Sequence, residues 1–231
     1  MIITALDYNS TDDALAFVEK IDPSLTRLKV GKELFTLAGP ALVEKLQTLG
    51  FDVFLDLKFH DIPNTVAGAV AVAVSMGVWM VNVHASGGPR MLEAARKAIP
   101  VAGSSGGTRL IAVTVLTSMD DIELNQIGVR LTAEQQVTSL TQLTIDQGLD
   151  GVVCAAREVG LIRAIAPTSF LTVTPGVRPA LANVNNDDQR RVMTPVDAIK
   201  AGSNYLVIGR PITQADNPLE SLQQIHKQIS S

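Results

Sequence analysis

Three charged residues stand close together at the end of an apolar run, in the segment FLDLKFHDIPNTV (54–66). Asp56 and Lys58 are two positions apart, so on an extended strand their side chains point to the same side. A carboxylate and an ammonium inside a protein are costly unless they pair, and one interpretation is a buried salt bridge between strands. Because Lys29 and Asp7 end two further apolar runs and Asp61 follows closely, we favour a catalytic cleft, where crowded charges shift pKa values.

Asp61 is harder to place beside the other charges. Pro63 turns the chain away from the preceding strand, and Asn64 or Thr65 is expected to cap the next helix. From the residues alone, Asp61 is interpreted as a solvent-exposed loop charge.

The elements that must position these charges are short apolar runs separated by helical stretches. Their hydrophobicity is nearly continuous, which is typical of parallel strands covered on both faces. The predicted strands are IITAL (2–6), RLKV (27–30), DVFLDL (52–57), VWMVNV (78–83), RLIAVTV (109–115), GVVC (151–154), FLTVT (170–174) and YLVIG (205–209).

The stretches between the strands carry helix start and stop signals. Ser10, Thr132 and Thr194 each precede an acceptor side chain by three residues, which predicts helix N-termini. Gly50 and Gly202 stand where a helix ends in a left-handed residue. Eight strands alternating with helices predict an α/β fold, a (β/α)₈ TIM barrel forming a single domain over 1–231, with a doubly wound sheet as the alternative.

In such a barrel, residues that follow the strands face the mouth where ligands bind. TPGVR (174–178) follows strand 7 and GRPI (209–212) follows strand 8, where glycines and an arginine suit a phosphate. Arg210 is the predicted phosphate cation, whereas Arg178 could equally be a solvated loop charge. The long segment 176–194 is predicted to be a functional loop.

Composition limits the class of partner and the compartment. A net charge of −4 and a pI near 5.4 argue against a broad nucleic-acid surface, so a small ligand is expected. Cys154 is the only cysteine, which together with the absence of a signal-like start fits a reducing cytoplasm. The uncharged segment 65–83 divides at Gly77 into a helix and a strand, so no membrane span is predicted.

Seven sequence blocks resemble those of bacterial-type orotidine 5′-monophosphate decarboxylases. They occur in this order over nearly the whole chain: ALDYN, LKVGKELF, FLDLKFHDIPNTV, VNVHASGG, VTVLTS, VTPGVRP and YLVIGRPIT. The Asp-x-Lys-x-x-Asp core is shared with other decarboxylases and synthases on this barrel, whereas FHDIPNT together with the other blocks is specific.

The resemblance implies decarboxylation of orotidine 5′-monophosphate to UMP and CO₂ in pyrimidine biosynthesis, by a homodimer without cofactor or metal. Lys29, Asp56 and Lys58 of one chain would alternate with Asp61 of its partner. Lys58 would stabilise the carbanion formed at C6 and protonate it. His84, in a matched block, is expected to be structural.

The resemblance also implies contacts along the nucleotide. Asp7 and Thr65 would bind the ribose, with Thr65 coming from the partner chain. Thr117 and Ser118 would contact the pyrimidine, and Gln189 the phosphate or the pyrimidine. Arg178, Gly209 and Arg210 would lie at the phosphate end. Thr117 and Ser118 could instead cap the next helix. The segment between Arg178 and Gln189 is longer than the family pattern. The alternative functions are a metal-using sugar-phosphate enzyme and a non-catalytic phosphate binder.

Overall fold

The fold is a closed barrel of eight parallel strands, seen in a computed structural model that describes residues 1–100, 107–178 and 193–230. The strands are β1 Ile2–Leu6, β2 Arg27–Gly31, β3 Val53–Phe59, β4 Met80–His84, β5 Arg109–Val113, β6 Gly151–Val153, β7 Leu171–Thr174 and β8 Tyr205–Ile208. Strand β1 pairs with both β2 and β8, which closes the sheet. The predicted TIM barrel is confirmed, and the doubly wound alternative is wrong.

Helices surround the barrel in the described part of the chain. They are α1 Thr11–Val18, α2 Lys32–Thr48, α3 Pro63–Ser75, α4 Pro89–Lys97, α5 Asp121–Gln126, α6 Ala133–Asp146, α7 Val159–Ile165, α8 Pro195–Lys200, α9 Arg210–Thr213 and α10 Pro218–Ile229. Within these described ranges, no helix combines the length and the apolar character needed to cross a membrane.

Local capping signals predicted several helix ends. The side chains of Ser10, Thr132 and Thr194 accept hydrogen bonds from the backbone three residues later and begin α1, α6 and α8. Gly50 and Gly202 have φ angles of 90° and 106°, as a left-handed helix end requires. Because these signals depend on neighbouring residues alone, they could be predicted without the fold.

Two other predicted caps are wrong. Helix α3 begins at Pro63 with Ile62 in the capping position, so Asn64 and Thr65 lie inside its first turn. Proline favours the first helical position because its φ is fixed and the missing N–H has no partner there. Helix α5 is capped by Asp120, which accepts from the backbone of its second and third residues at 3.0 Å, rather than by Thr117 or Ser118.

The barrel interior has an apolar floor and a charged upper layer. Phe54 and Met80 belong to a buried cluster inside the barrel. Asp56 and Asn82 follow them two positions later on the same strands and are also buried. Because alternate residues of a strand share a face, the polar pair lies toward the C-terminal mouth. A larger apolar core fills the space between strands and helices.

Candidate active site

The charged layer is an alternating chain of carboxylates and ammonium groups. Lys58 Nζ lies 2.7 Å from Asp56 Oδ1, and Lys29 Nζ lies 3.4 Å from Asp56 Oδ2. Lys29 Nζ also donates to Asp7 Oδ1 at 3.1 Å. The Asp56 and Lys29 side chains are each 11% exposed, whereas Asp7 is 69% exposed at the rim. The predicted pairing of Lys29, Asp56 and Lys58 is therefore present in one chain.

Lys29 stays charged because its carboxylate neighbours outweigh its burial. Burial alone would lower the pKa of this ammonium, but Asp56, and then Asp7, together raise the pKa above its ordinary value. Gly31 leaves room for the group, since a Cβ there would lie 3.2 Å from Lys29 Nζ. The site thus favours a positively charged Lys29 beside Asp56.

Lys58 approaches Asp56 from an irregular part of β3. The β3–β4 register shifts between Leu55 and Phe59, and Lys58 has a φ angle of 53°. It is the one non-glycine residue with positive φ in the described ranges. A left-handed lysine costs about 1–3 kcal/mol and persists only where its surroundings hold it, as is common at active sites. The surroundings that hold Lys58 are therefore part of the site.

The charged chain opens into a cavity of about 610 Å³ at the barrel mouth. Its apolar wall includes Val113, Val153 and Val207. The predicted site residues that line it are Asp7, Lys29, Asp56, Lys58, Thr117, Arg178, Gly209 and Arg210. A cavity lined by a charged network, two arginines and an apolar wall suits a small anionic ligand.

Other predicted residues are not brought into this cavity by their own chain. Asp61 and Thr65 are exposed, and Ser118 is exposed outside the lining. Asp61 Oδ1 accepts from the Ile62 backbone N–H at 2.6 Å, and Asp61 lines a separate open cavity of about 720 Å³ with residues of the α4 start. Gln189 lies outside the described residues. The roles assigned to these four residues stay predictions.

One end of the cavity is formed by the connections after β7 and β8. Gly176 adopts a left-handed φ of 75°, which lets the chain turn directly after β7. Arg178 N–H then donates to Met193 O at 3.0 Å, so the chain returns beside the point where it left. Arg210 begins the short helix α9. Two arginines from different connections therefore face one cavity.

Two residues at the site were missed in the sequence. Asn82 donates to Asp56 Oδ1 at 2.7 Å and accepts from the Lys58 backbone N–H at 2.8 Å. Gln214, directly after α9, lines the cavity. A usable signal existed for Asn82, because it is the single polar residue in the run VWMVNV and is two positions after a core methionine. No comparable signal marks Gln214.

His84, the last residue of β4, is a half-buried neutral imidazole. Its ring centroid lies 5.5 Å from that of His60. Burial, followed by His60, Lys32 and Lys58, lowers the pKa of His84 to about 4, against a smaller opposing effect of Asp56. The imidazole is therefore uncharged at neutral pH and adds no further positive charge next to Lys58.

The lowered pKa of His84 predicts a pH-dependent stability. Above its ordinary value of 6.5, His84 is neutral in both the folded and unfolded states. As the pH falls from 6.5 toward 4, only the unfolded chain takes up the proton, so folding stability is lost. We expect His84→Gln to lose less thermal stability than the unchanged protein between pH 7 and about pH 5, measured by circular dichroism. Parallel loss in both proteins would contradict this.

No group of three or more His, Cys, Asp or Glu side chains arranged to hold a metal ion occurs in residues 1–100, 107–178 and 193–230. Burial raises the pKa of the Cys154 thiol, as expected for a small buried hydrophobe. The charged groups that line the cavity among the described residues are lysines, carboxylates and arginines.

Comparison with known proteins fits this geometry. The sequence model of the Orotidine 5′-phosphate decarboxylase / HUMPS family matches residues 1–225. The chain belongs to this family. An orotidine 5′-phosphate decarboxylase of Aliivibrio fischeri is 57% identical over 230 residues, covering 100% of this chain and 97% of that protein. One from Saccharophagus degradans is 55% identical over 229 residues, covering 99% of this chain and 94% of that protein. The family resemblance of the seven sequence blocks is confirmed.

Solved structures of the family share the barrel. The crystal structure of orotidine 5′-phosphate decarboxylase from Lactobacillus acidophilus has a TM-score of 0.87 and 36% identity, covering 100% of this chain and 99% of that one. The enzyme from Pyrococcus horikoshii has a TM-score of 0.79 at 22% identity over 100% of both chains, which shows the shared fold alone.

Proposed function

We propose that this chain is an orotidine 5′-phosphate decarboxylase, which converts orotidine 5′-monophosphate to UMP and CO₂ in de novo pyrimidine biosynthesis. One observation carries the proposal: Asp56 is held between Lys29 and Lys58 in a cavity that two arginines also line. The relatives of 55–57% identity that bear this name support it.

The chemical task is to stabilise an electron pair at C6 of the pyrimidine. The C6–carboxylate bond breaks, CO₂ leaves, and its bonding electrons remain on the ring carbon. The Lys58 ammonium, poised 2.7 Å from Asp56, offers positive charge to this carbanion and then transfers a proton from Nζ to C6. Solvent returns the proton to the amine. The step is balanced without an oxidant, a metal or an organic cofactor.

Lys29 and the carboxylates hold this ammonium in place. Asp56 accepts from Lys58 on one oxygen and faces Lys29 with the other, so its charge is neutralised from both sides. Asp7, at the exposed rim, is placed to bind a ribose hydroxyl while it accepts from Lys29. A metal ion at Asp56 would have to displace two ammonium groups, which favours cofactor-free chemistry over the metal-using sugar-phosphate alternative.

The partner chain is proposed to complete the site. Asp61 and Thr65 are exposed and lie outside their own chain's cavity, and the neighbouring Ile62 is 67% exposed. In a homodimer, this edge would enter the partner's site and place Asp61 beside the partner's copy of the lysine pair. By the family resemblance, Ser118 is assigned to the pyrimidine, and Gln189 to the phosphate or the pyrimidine. The proposed compartment is the cytoplasm.

The remote phosphate supplies binding energy that the reacting carbon can use. We expect Arg210→Ala to raise KM for orotidine 5′-monophosphate about 10- to 100-fold, because a charged hydrogen bond contributes about 1.5–3 kcal/mol. Initial rates over a range of substrate concentrations measure this effect. Arg130→Ala, which removes an exposed arginine elsewhere, is the control. An unchanged KM for Arg210→Ala would remove this residue from the phosphate site.

The proposed function is tested by the absorbance of orotidine 5′-monophosphate on addition of protein freed of metal. Conversion to UMP that is insensitive to EDTA is expected. Activity that requires an added divalent cation would favour the metal-using sugar-phosphate enzyme. Tight UMP binding without turnover would favour the non-catalytic binder.

A further inference from the structure

Asn82 occupies a gap in the sheet directly behind the charged chain. Between the paired positions Leu55–Val81 and Phe59–Val83, β3 advances four residues while β4 advances two. The two additional residues of β3 cannot all find ladder partners on β4. Asn82 is the β4 residue inside this interval, and it is fully buried. Its side chain therefore lies where the β3–β4 pairing is interrupted, and it bonds to the β3 backbone there.

The carboxamide holds the left-handed backbone of Lys58. Asn82 Oδ1 accepts from the Lys58 N–H at 2.8 Å, so a buried side chain satisfies this backbone donor where the strand pairing is irregular. Since the φ angle of Lys58 sets the direction in which its side chain leaves the strand, this bond bears on where the ammonium lies. Removing the bond would free Lys58 to relax toward an ordinary conformation.

The same carboxamide holds the carboxylate that Lys58 faces. Asn82 Nδ2 donates to Asp56 Oδ1 at 2.7 Å, the oxygen that also accepts from Lys58 Nζ. The opposite orientation of the amide would set an oxygen against the carboxylate and an NH₂ against the N–H, so the assignment is fixed by its partners. One uncharged side chain thus links the backbone of Lys58 to the acceptor of its ammonium.

We propose that Asn82 is a positioning residue for the decarboxylation, acting through Lys58 and Asp56. It does not line the cavity, so it does not touch substrate from its own position. The inference rests on the proposed function, in which Lys58 protonates C6. It predicts that changes at Asn82 lower kcat more than they weaken nucleotide binding, because the phosphate contacts are unchanged.

Two substitutions of Asn82 test its hydrogen bonds to the Lys58 N–H and to Asp56 separately. Asn82→Leu has a similar volume but neither donor nor acceptor, and we expect kcat to fall about 100-fold, as for a misplaced catalytic group. Asn82→Asp keeps the acceptor for the Lys58 N–H but loses the donor to Asp56 when ionised. Protonation of the introduced carboxyl restores that donor. The ratio of its kcat to that of the unchanged protein should therefore rise as the pH is lowered.

The experiment measures kcat, KM and UMP affinity for both variants between pH 5.5 and about pH 8.5, with folding checked by circular dichroism. Asn204→Asp is the matched control, because Asn204 is also hydrogen-bonded through its amide, at the N-terminal end of the barrel. Its kcat ratio should be independent of pH.

Three outcomes overturn the positioning role. They are an Asn82→Leu kcat within about threefold of normal, a loss of UMP affinity equal to the loss of kcat, and a pH-independent ratio for Asn82→Asp. If the leucine variant does not fold, the pH dependence of the aspartate variant decides. If the wild-type protein does not convert the substrate, the proposed function and this inference are both overturned. If the wild-type protein is active and the Asn82 variants are unimpaired, this inference alone is overturned.

Discussion

Lys58→Ala is expected to lower kcat for orotidine 5′-monophosphate by several orders of magnitude. The substitution removes the ammonium that would stabilise the carbanion and the proton that would reach C6, both needed in the same step. Each factor of ten corresponds to about 1.4 kcal/mol of activation free energy. The phosphate contacts remain, so UMP should still bind.

Turnover is measured by the absorbance of the substrate, and UMP binding by calorimetry on the same preparation. Lys45→Ala, which removes an exposed lysine of α2, serves as the control and should leave kcat unchanged. A Lys58→Ala enzyme that retained more than about a tenth of normal kcat would refute the role of Lys58 as proton donor.

The second large effect is recovery of activity by mixing two inactive proteins. Lys58→Ala and Asp61→Asn should each be nearly inactive as homodimers. If Asp61 acts across the interface, each hybrid dimer regains one site with both groups intact. With random exchange, half of the dimers are hybrids, and about a quarter of all sites should be restored. Co-refolding the two variants and assaying the mixture measures this recovery.

The matched control pairs Lys58→Ala with Asp56→Asn. Lys58 and Asp56 contact each other within one chain, so every site of their hybrid lacks one of the two groups. No recovery is expected from that mixture. If hybrids carrying the Asp61 substitution are shown to form and remain inactive, Asp61 acts within its own chain or not at all.

The barrel was predictable from the sequence because its strands are buried on both faces. Each of the eight apolar runs overlaps one observed strand, and burial of a whole run needs no knowledge of its neighbours. Strand ends were less predictable. Strand β3 continues to Phe59 and β5 stops at Val113, because the ends depend on pairing with adjacent strands.

The centre of the site was also predictable in outline. The two-residue spacing of Asp56 and Lys58 indicated that they would meet, and the structure brings them to 2.7 Å. The prediction assumed that both residues lie on a regular extended strand. In the structure, Lys58 instead lies in a bulge and has a positive φ angle. Which of these residues carry the reaction stays a prediction for the experiments above.

By itself, the sequence determined the barrel, several helix ends and the positions of the charges at strand ends, because these depend on local periodicity and capping. Only the tertiary structure decided that Asn82 bridges Lys58 and Asp56, that Pro63 begins α3, and that Asp61 lies outside the lining of its own chain's cavity. The reason is physical: a strand register, a bulge and the exit direction of a loop depend on hydrogen bonds between segments that are distant in sequence.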